Sequence, residues 1–83
     1  MTAKDFLQSI LESLVENKAA INIQEKYDEL GTLLSIEVDT SDMGAIIGKS
    51  WKTIDALRTV IRVFGSKRGE RINIRLIEDR PIQ

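Results

Sequence analysis

The 83 residues contain no cysteine and no histidine. Their absence removes disulfides, thiolate and imidazole metal sites, thiol nucleophiles and every triad that needs an imidazole base. Proline occurs once, and no low-complexity linker is expected. No apolar run approaches the roughly 18 to 20 residues of a membrane span. The opening MTAKDFLQSILESLVEN mixes acids among its apolar residues, unlike a secretory leader. These absences point to a cytoplasmic protein. What remains is a 42% hydrophobic share with 30% charged residues, an ordinary globular balance far from the composition of disorder. A chain of this length is one domain, expected over 1–83 with its core at about 4–78 and a flexible tail at 79–83.

The net charge of −1 conceals a division. Residues 1–42 carry three bases against nine acids, and residues 43–83 carry nine bases against four acids. A split of this size suggests one surface turned toward an anionic partner, or simply solvated charge on helices and strands.

Phe6, Leu7, Ile10, Leu11, Leu14 and Val15 recur at helical spacing, with Thr2 and Asp5 placed as an N-terminal cap and Asn17 as the end. Ile21, Ile23, Glu25 and Tyr27 then alternate with polar residues as a strand. Asp28-Glu29-Leu30-Gly31 supplies a turn, and Leu34, Ile36 and Val38 form a second strand, so a hairpin is expected. Thr40-Ser41-Asp42 precedes a short helix from Met43 to Ile47 that stops at Gly48. Ile54, Leu57, Val60, Ile61 and Phe64 share one face of a longer helix, with Gly65 in the position of a left-handed cap and Ser66 to Gly69 as a turn. Ile72, Ile74 and Leu76 complete a third strand. The reading is an α+β domain of order αββααβ, its helices on one face of a three-stranded sheet whose other face is open. Asp39 and Asp42, the nearest approach to a carboxylate cluster, fall where helix caps belong, so no catalytic residue, metal or cofactor is expected.

The chemistry concentrates at Gly44-Ala45-Ile46-Ile47-Gly48-Lys49-Ser50-Trp51-Lys52-Thr53-Ile54. A nucleotide-binding P-loop requires four residues between its glycines before Gly-Lys-Ser, and only three separate Gly44 from Gly48. Too little chain follows to supply the rest of such a domain. The stretch instead resembles the Ile-Gly-x-x-Gly-x-x-Ile pattern of KH domains. Across about 4–79 the chain resembles the small single-domain bacterial KH proteins (KhpA-like), with Lys4 to Asn17 similar to their leading helix and Asp42-Met43-Gly44 to their approach to the loop.

That resemblance implies a type II KH fold with a three-stranded mixed sheet. It also implies single-stranded RNA binding as a small RNA chaperone or post-transcriptional regulator, often as a homodimer or beside a larger KH-containing protein, with no membrane or small-molecule partner. The glycine loop of such domains clamps about four nucleotides of backbone. Gly48 corresponds to the first loop glycine, Ile47 and Ile54 to the flanking apolar positions, and Trp51 stands where the second glycine belongs. The candidate RNA-binding residues are Ile47, Gly48, Lys49, Ser50, Trp51, Lys52, Arg58 and Arg62, with Lys67 and Arg68 as further phosphate candidates. Met43, Ile46 and Ile47 could line a base groove or fill the core.

Trp51 admits three readings: a platform on which a base stacks, a core or dimer residue, or an obstruction that leaves a KH fold binding proteins instead of RNA. In the last case the domain is a protein-interaction module.

Overall fold

The computed structural model describes residues 1–77, so the expected tail at 79–83 lies outside the described residues. Helix α1 (Ala3–Leu14) leads into strand β1 (Asn22–Asp28) and strand β2 (Gly31–Glu37). Helices α2 (Met43–Ile47) and α3 (Lys52–Lys67) and strand β3 (Ile72–Leu76) follow, with single 3-10 turns at Lys18–Ala20, Thr40–Asp42 and Lys49–Trp51. The order αββααβ is the expected one.

Thr2 and Asp5 start α1 as a reciprocal capping box. The Asp5 amide donates to the Thr2 hydroxyl at 3.1 Å and the Thr2 amide to the Asp5 carboxylate at 3.3 Å. The helix stops at Leu14, three residues before Asn17, because Val15 turns to extended backbone and buries its side chain instead. Strands β1 and β2 form the expected antiparallel hairpin, and β3 adds parallel to β2, so β2 is central in a mixed sheet. A parallel neighbour needs a long crossover, and α2 with α3 supplies it. That crossover sets the loop between the two helices at one end of the domain.

Period-two alternation decides what each sheet face carries. Ile23, Leu34, Ile36, Ile72 and Ile74 turn inward and are buried, while Gln24, Ser35, Asn73 and Arg75 occupy the open face. The inward set meets Leu7 and Leu11 of α1, Ile46 of α2, and Ile54, Leu57 and Ile61 of α3. Seven side chains, Leu7, Leu11, Leu34, Ile36, Ile46, Ile54 and Ile61, are wholly enclosed. At about 1.5–3 kcal/mol each, they locate the stability between sheet and helices. Phe6 and Phe64 stack at 4.9 Å to tie α1 to α3.

Three expectations are corrected by this packing. Gly65 is not the cap of α3. The helix runs through it to Lys67, and the positive dihedral falls at Gly69 (φ 71°). Gly65 is required for close approach, since a Cβ there would lie 2.8 Å from Ile72 Cδ1 and 2.9 Å from the Glu70 carbonyl oxygen. Val60 lies off the core stripe and is exposed, as is Leu14 on α1. Finally, Asp42 does not cap α2 with its side chain.

Its buried carboxylate accepts the amides of Glu16 and Asn17, each at 3.1 Å, pinning the exit of α1 to the entry of α2. Asp39 does act as a cap. It takes the Ser41 amide at 2.9 Å and the Asn17 side-chain amide at 2.9 Å, and these bonds, the Ser41 amide foremost, hold its carboxyl below the usual value of 3.8. Removing the buried acceptor strands two amides, so Asp42→Ala is expected to cost about 2 kcal/mol in urea denaturation, with Asp42→Asn costing less.

Candidate nucleic-acid interface

The loop joining α2 to α3 is built from backbone that ordinary residues avoid. Gly48 ends α2 at φ 72° and ψ −179°, a combination open essentially to glycine. Its absent Cβ leaves room for Thr53, whose side-chain Cβ and backbone nitrogen would lie 2.6 and 2.9 Å from a methyl group at that point. Ser50 (φ 57°, ψ 34°) and Trp51 (φ 64°, ψ 17°) both follow in the left-handed region, at a cost of about 1–2 kcal/mol each for a residue with a Cβ. Trp51 therefore keeps the positive backbone dihedral that a glycine would adopt freely, and the change of residue alters what stands on the loop rather than its path.

Trp51 precedes α3 as its N-cap and supplies no side-chain acceptor to the first-turn amides. The first-turn amides of this 16-residue helix thus have no side-chain cap, and the acid of the first turn, Asp55, is bonded to Arg58. Lys49 and Lys52 are exposed on either side of it. Among the described residues neither has a carboxylate within ion-pair distance. Trp51 itself is 47% exposed, which sets aside full burial in the core and leaves part of the indole accessible on the same short loop as the two lysines. Ile47, half-buried, borders the loop from α2, whereas Ile46 belongs wholly to the core and Met43 packs against it.

The remaining candidates are distributed along α3. Arg58 is exposed and bonded to Asp55 at 3.0 Å, one turn away. Arg62 lies ten residues beyond Lys52, about 15 Å along the axis, and lines a separate cleft at the far end of the helix. Arg68 stacks over the Phe64 ring at 4.8 Å, which commits it to packing, and Lys67 closes the helix C-terminus. The structure thus brings Gly48, Lys49, Ser50, Trp51 and Lys52 together, with Ile47 at their edge, and sets Arg58 and Arg62 apart from them. Arg71 shares the cleft with Arg62, a neighbourhood that its place in the sequence does not reveal because it depends on the pairing of β3 with β2. Among the described residues no group of three or more carboxylates could hold a metal ion, and no helix is long and apolar enough to cross a membrane.

A mixed three-stranded sheet in the order β1-β2-β3, backed by helices whose α2–α3 junction is a glycine-initiated loop, defines a KH domain of type II. A family model for the KhpA/KhpB KH domain matches residues 4–76, and the chain belongs to that family. It is 31% identical over 75 residues to the RNA-binding protein KhpA of Aquifex aeolicus, covering 90% of this chain and 95% of the relative. It is 31% identical over 77 residues to the RNA-binding protein KhpA of Chlamydia caviae, covering 93% and 99%. With the protein of that name from Clostridium acetobutylicum the figures are 32% over 74 residues, 89% and 99%.

Proposed function

We propose that this domain binds single-stranded RNA without catalysing a reaction on it, through the loop of Gly48 to Lys52. The observation that carries the reading is the placing of Lys49 and Lys52, exposed and without a described carboxylate partner, at the uncapped N-terminus of α3 beside a half-exposed indole. A phosphodiester entering there meets fixed amide dipoles and two ammonium groups, and an adjoining base can lie on the Trp51 ring. The names of the KhpA relatives support RNA as the ligand. A role as RNA chaperone or post-transcriptional regulator, and assembly with a second copy or a larger KH-containing protein, belong to the same reading. The exposed Val60 and Val63 offer apolar area on α3 for such pairing.

Two substitutions separate the ring from the backbone beneath it. Trp51→Ala removes the stacking surface, and Trp51→Gly removes it while relieving the left-handed strain. Both are expected to weaken binding of a fluorescein-labelled mixed-sequence RNA about five- to tenfold, at the low end of the range for one base–aromatic stack. Equal binding by Trp51→Gly would show that the indole takes no part in the site, and tighter binding that it obstructs the site.

A further inference from the structure

At the opposite end of α3 from the loop, the helix, the turn after it and the start of β3 enclose an open cleft of about 500 Å³. Arg62 and Ser66 line it from the helix, Glu70 and Arg71 from the turn, and Asn73 from the strand. Gly65, one residue before Ser66, lets β3 lie close against α3 here, so the cleft rests on rigid elements. Its lining carries two arginines against one glutamate. Among the described residues the ion pair present is Arg58 with Asp55, which leaves Arg62 and Arg71 without a carboxylate partner there. Ser66 adds a neutral hydroxyl to the lining. A planar guanidinium fork matches a phosphodiester bidentately, and the cleft holds two.

The cleft is also connected to the loop. Arg58, Arg62 and Ser66 recur every four residues and so form one row on the helix, advancing about 6 Å per step. That interval is comparable to the separation of successive phosphates along an extended single strand. From Lys52 to Ser66 the helix covers about 21 Å. A strand held at Lys49 and Lys52 reaches the cleft only by continuing past the nucleotides that the loop itself clamps.

We propose that the Arg62–Arg71 cleft is a second phosphate-binding site, which takes the backbone of the same RNA strand downstream or upstream of the loop and lengthens the footprint of the domain. This rests on the RNA reading of the loop. The cleft then contributes to affinity for longer RNA and is silent toward a strand just long enough to fill the loop.

The test compares the wild-type domain with Arg62→Gln/Arg71→Gln on labelled mixed-sequence RNAs of four and twelve nucleotides. Both residues are exposed, so the fold is expected to survive, with a circular-dichroism melt as the check. The double variant is expected to lose about tenfold on the twelve-nucleotide strand. Its slope of log affinity against log salt should fall by about 1.4, at roughly 0.7 for each phosphate contact on single strands. Its affinity for the four-nucleotide strand should be unchanged. Unaltered affinity for the longer strand overturns the proposal. So does an equal loss on both lengths, which would place the arginines in the loop's own site, or a loss of self-association in sedimentation with RNA binding intact, which would assign the cleft to protein contacts. Wild-type protein that binds neither length refutes instead the RNA reading beneath it.

Discussion

Reversing both loop lysines, Lys49→Glu/Lys52→Glu, is expected to reduce affinity for single-stranded RNA at least thirtyfold while the fold stays intact. The two side chains are exposed and have no carboxylate partner among the described residues, so substitutions there fall in the class that changes stability by about 0.5 kcal/mol or less. A glutamate at position 52, the first residue of α3, even sits favourably against the positive end of the helix dipole. Binding suffers doubly, because two ammonium groups that release counterions from the phosphates are lost and two repelling carboxylates take their place. The chain's net charge is already −1, so no general electrostatic attraction exists to compensate. A matched control distinguishes the local effect from the global one. Lys4→Glu/Lys26→Glu makes the same change in net charge at exposed sites on α1 and β1 and is expected to cost no more than about threefold. Equal losses from both double variants would mean that the loop is not the site.

Gly48→Ala is expected to destabilise the domain by about 3 kcal/mol. Two costs combine at this position. The dihedrals φ 72° and ψ −179° belong to a region essentially closed to residues with a Cβ, and the added methyl would meet the side chain and backbone nitrogen of Thr53 well inside van der Waals contact. Relief requires the first turn of α3 to move, and that turn carries both Lys52 and the buried Ile54. For a domain of this size about 3 kcal/mol amounts to a melting-temperature fall of roughly 12–24 °C. Gly44 provides the contrast on the same short helix. A Cβ there meets nothing within 4 Å, so Gly44→Ala should leave the melt unchanged or raise it, as expected for glycine to alanine inside a helix.

How much of this was legible in the amino-acid sequence depends on how local the cause is. The capping box of Thr2 and Asp5, the hairpin and the stop at Gly48 were all readable, because each is decided by residues within a few positions of one another. Gly65 is deceptive for the opposite reason. A glycine near the end of a helical pattern reads as a left-handed cap, whereas the demand on it comes from Ile72 and Glu70 across the turn. Asp42 shows the same limit, since its partners Glu16 and Asn17 stand more than twenty residues away. At the site, the loop from Gly48 to Lys52 was legible as a contiguous motif. The separation of Arg62 from it, and the cleft it lines with Arg71, depend on the length of α3 and the return of β3. Trp51 was the residue on which the motif was least informative, because its spacing reveals neither whether the left-handed backbone survives the loss of glycine nor which way the ring is exposed.

In the proposed function, Lys49, Trp51 and Lys52 form one RNA-binding surface. The chain contains a single tryptophan, so its emission reports on that surface alone. The decisive measurement is a titration of the wild-type domain with unlabelled mixed-sequence single-stranded RNA at low and moderate salt, following Trp51 fluorescence. Saturable quenching is expected, its midpoint moving to higher RNA concentration as salt is raised. RNA binding that leaves Trp51 emission unchanged, or no binding at low salt, would contradict the proposal.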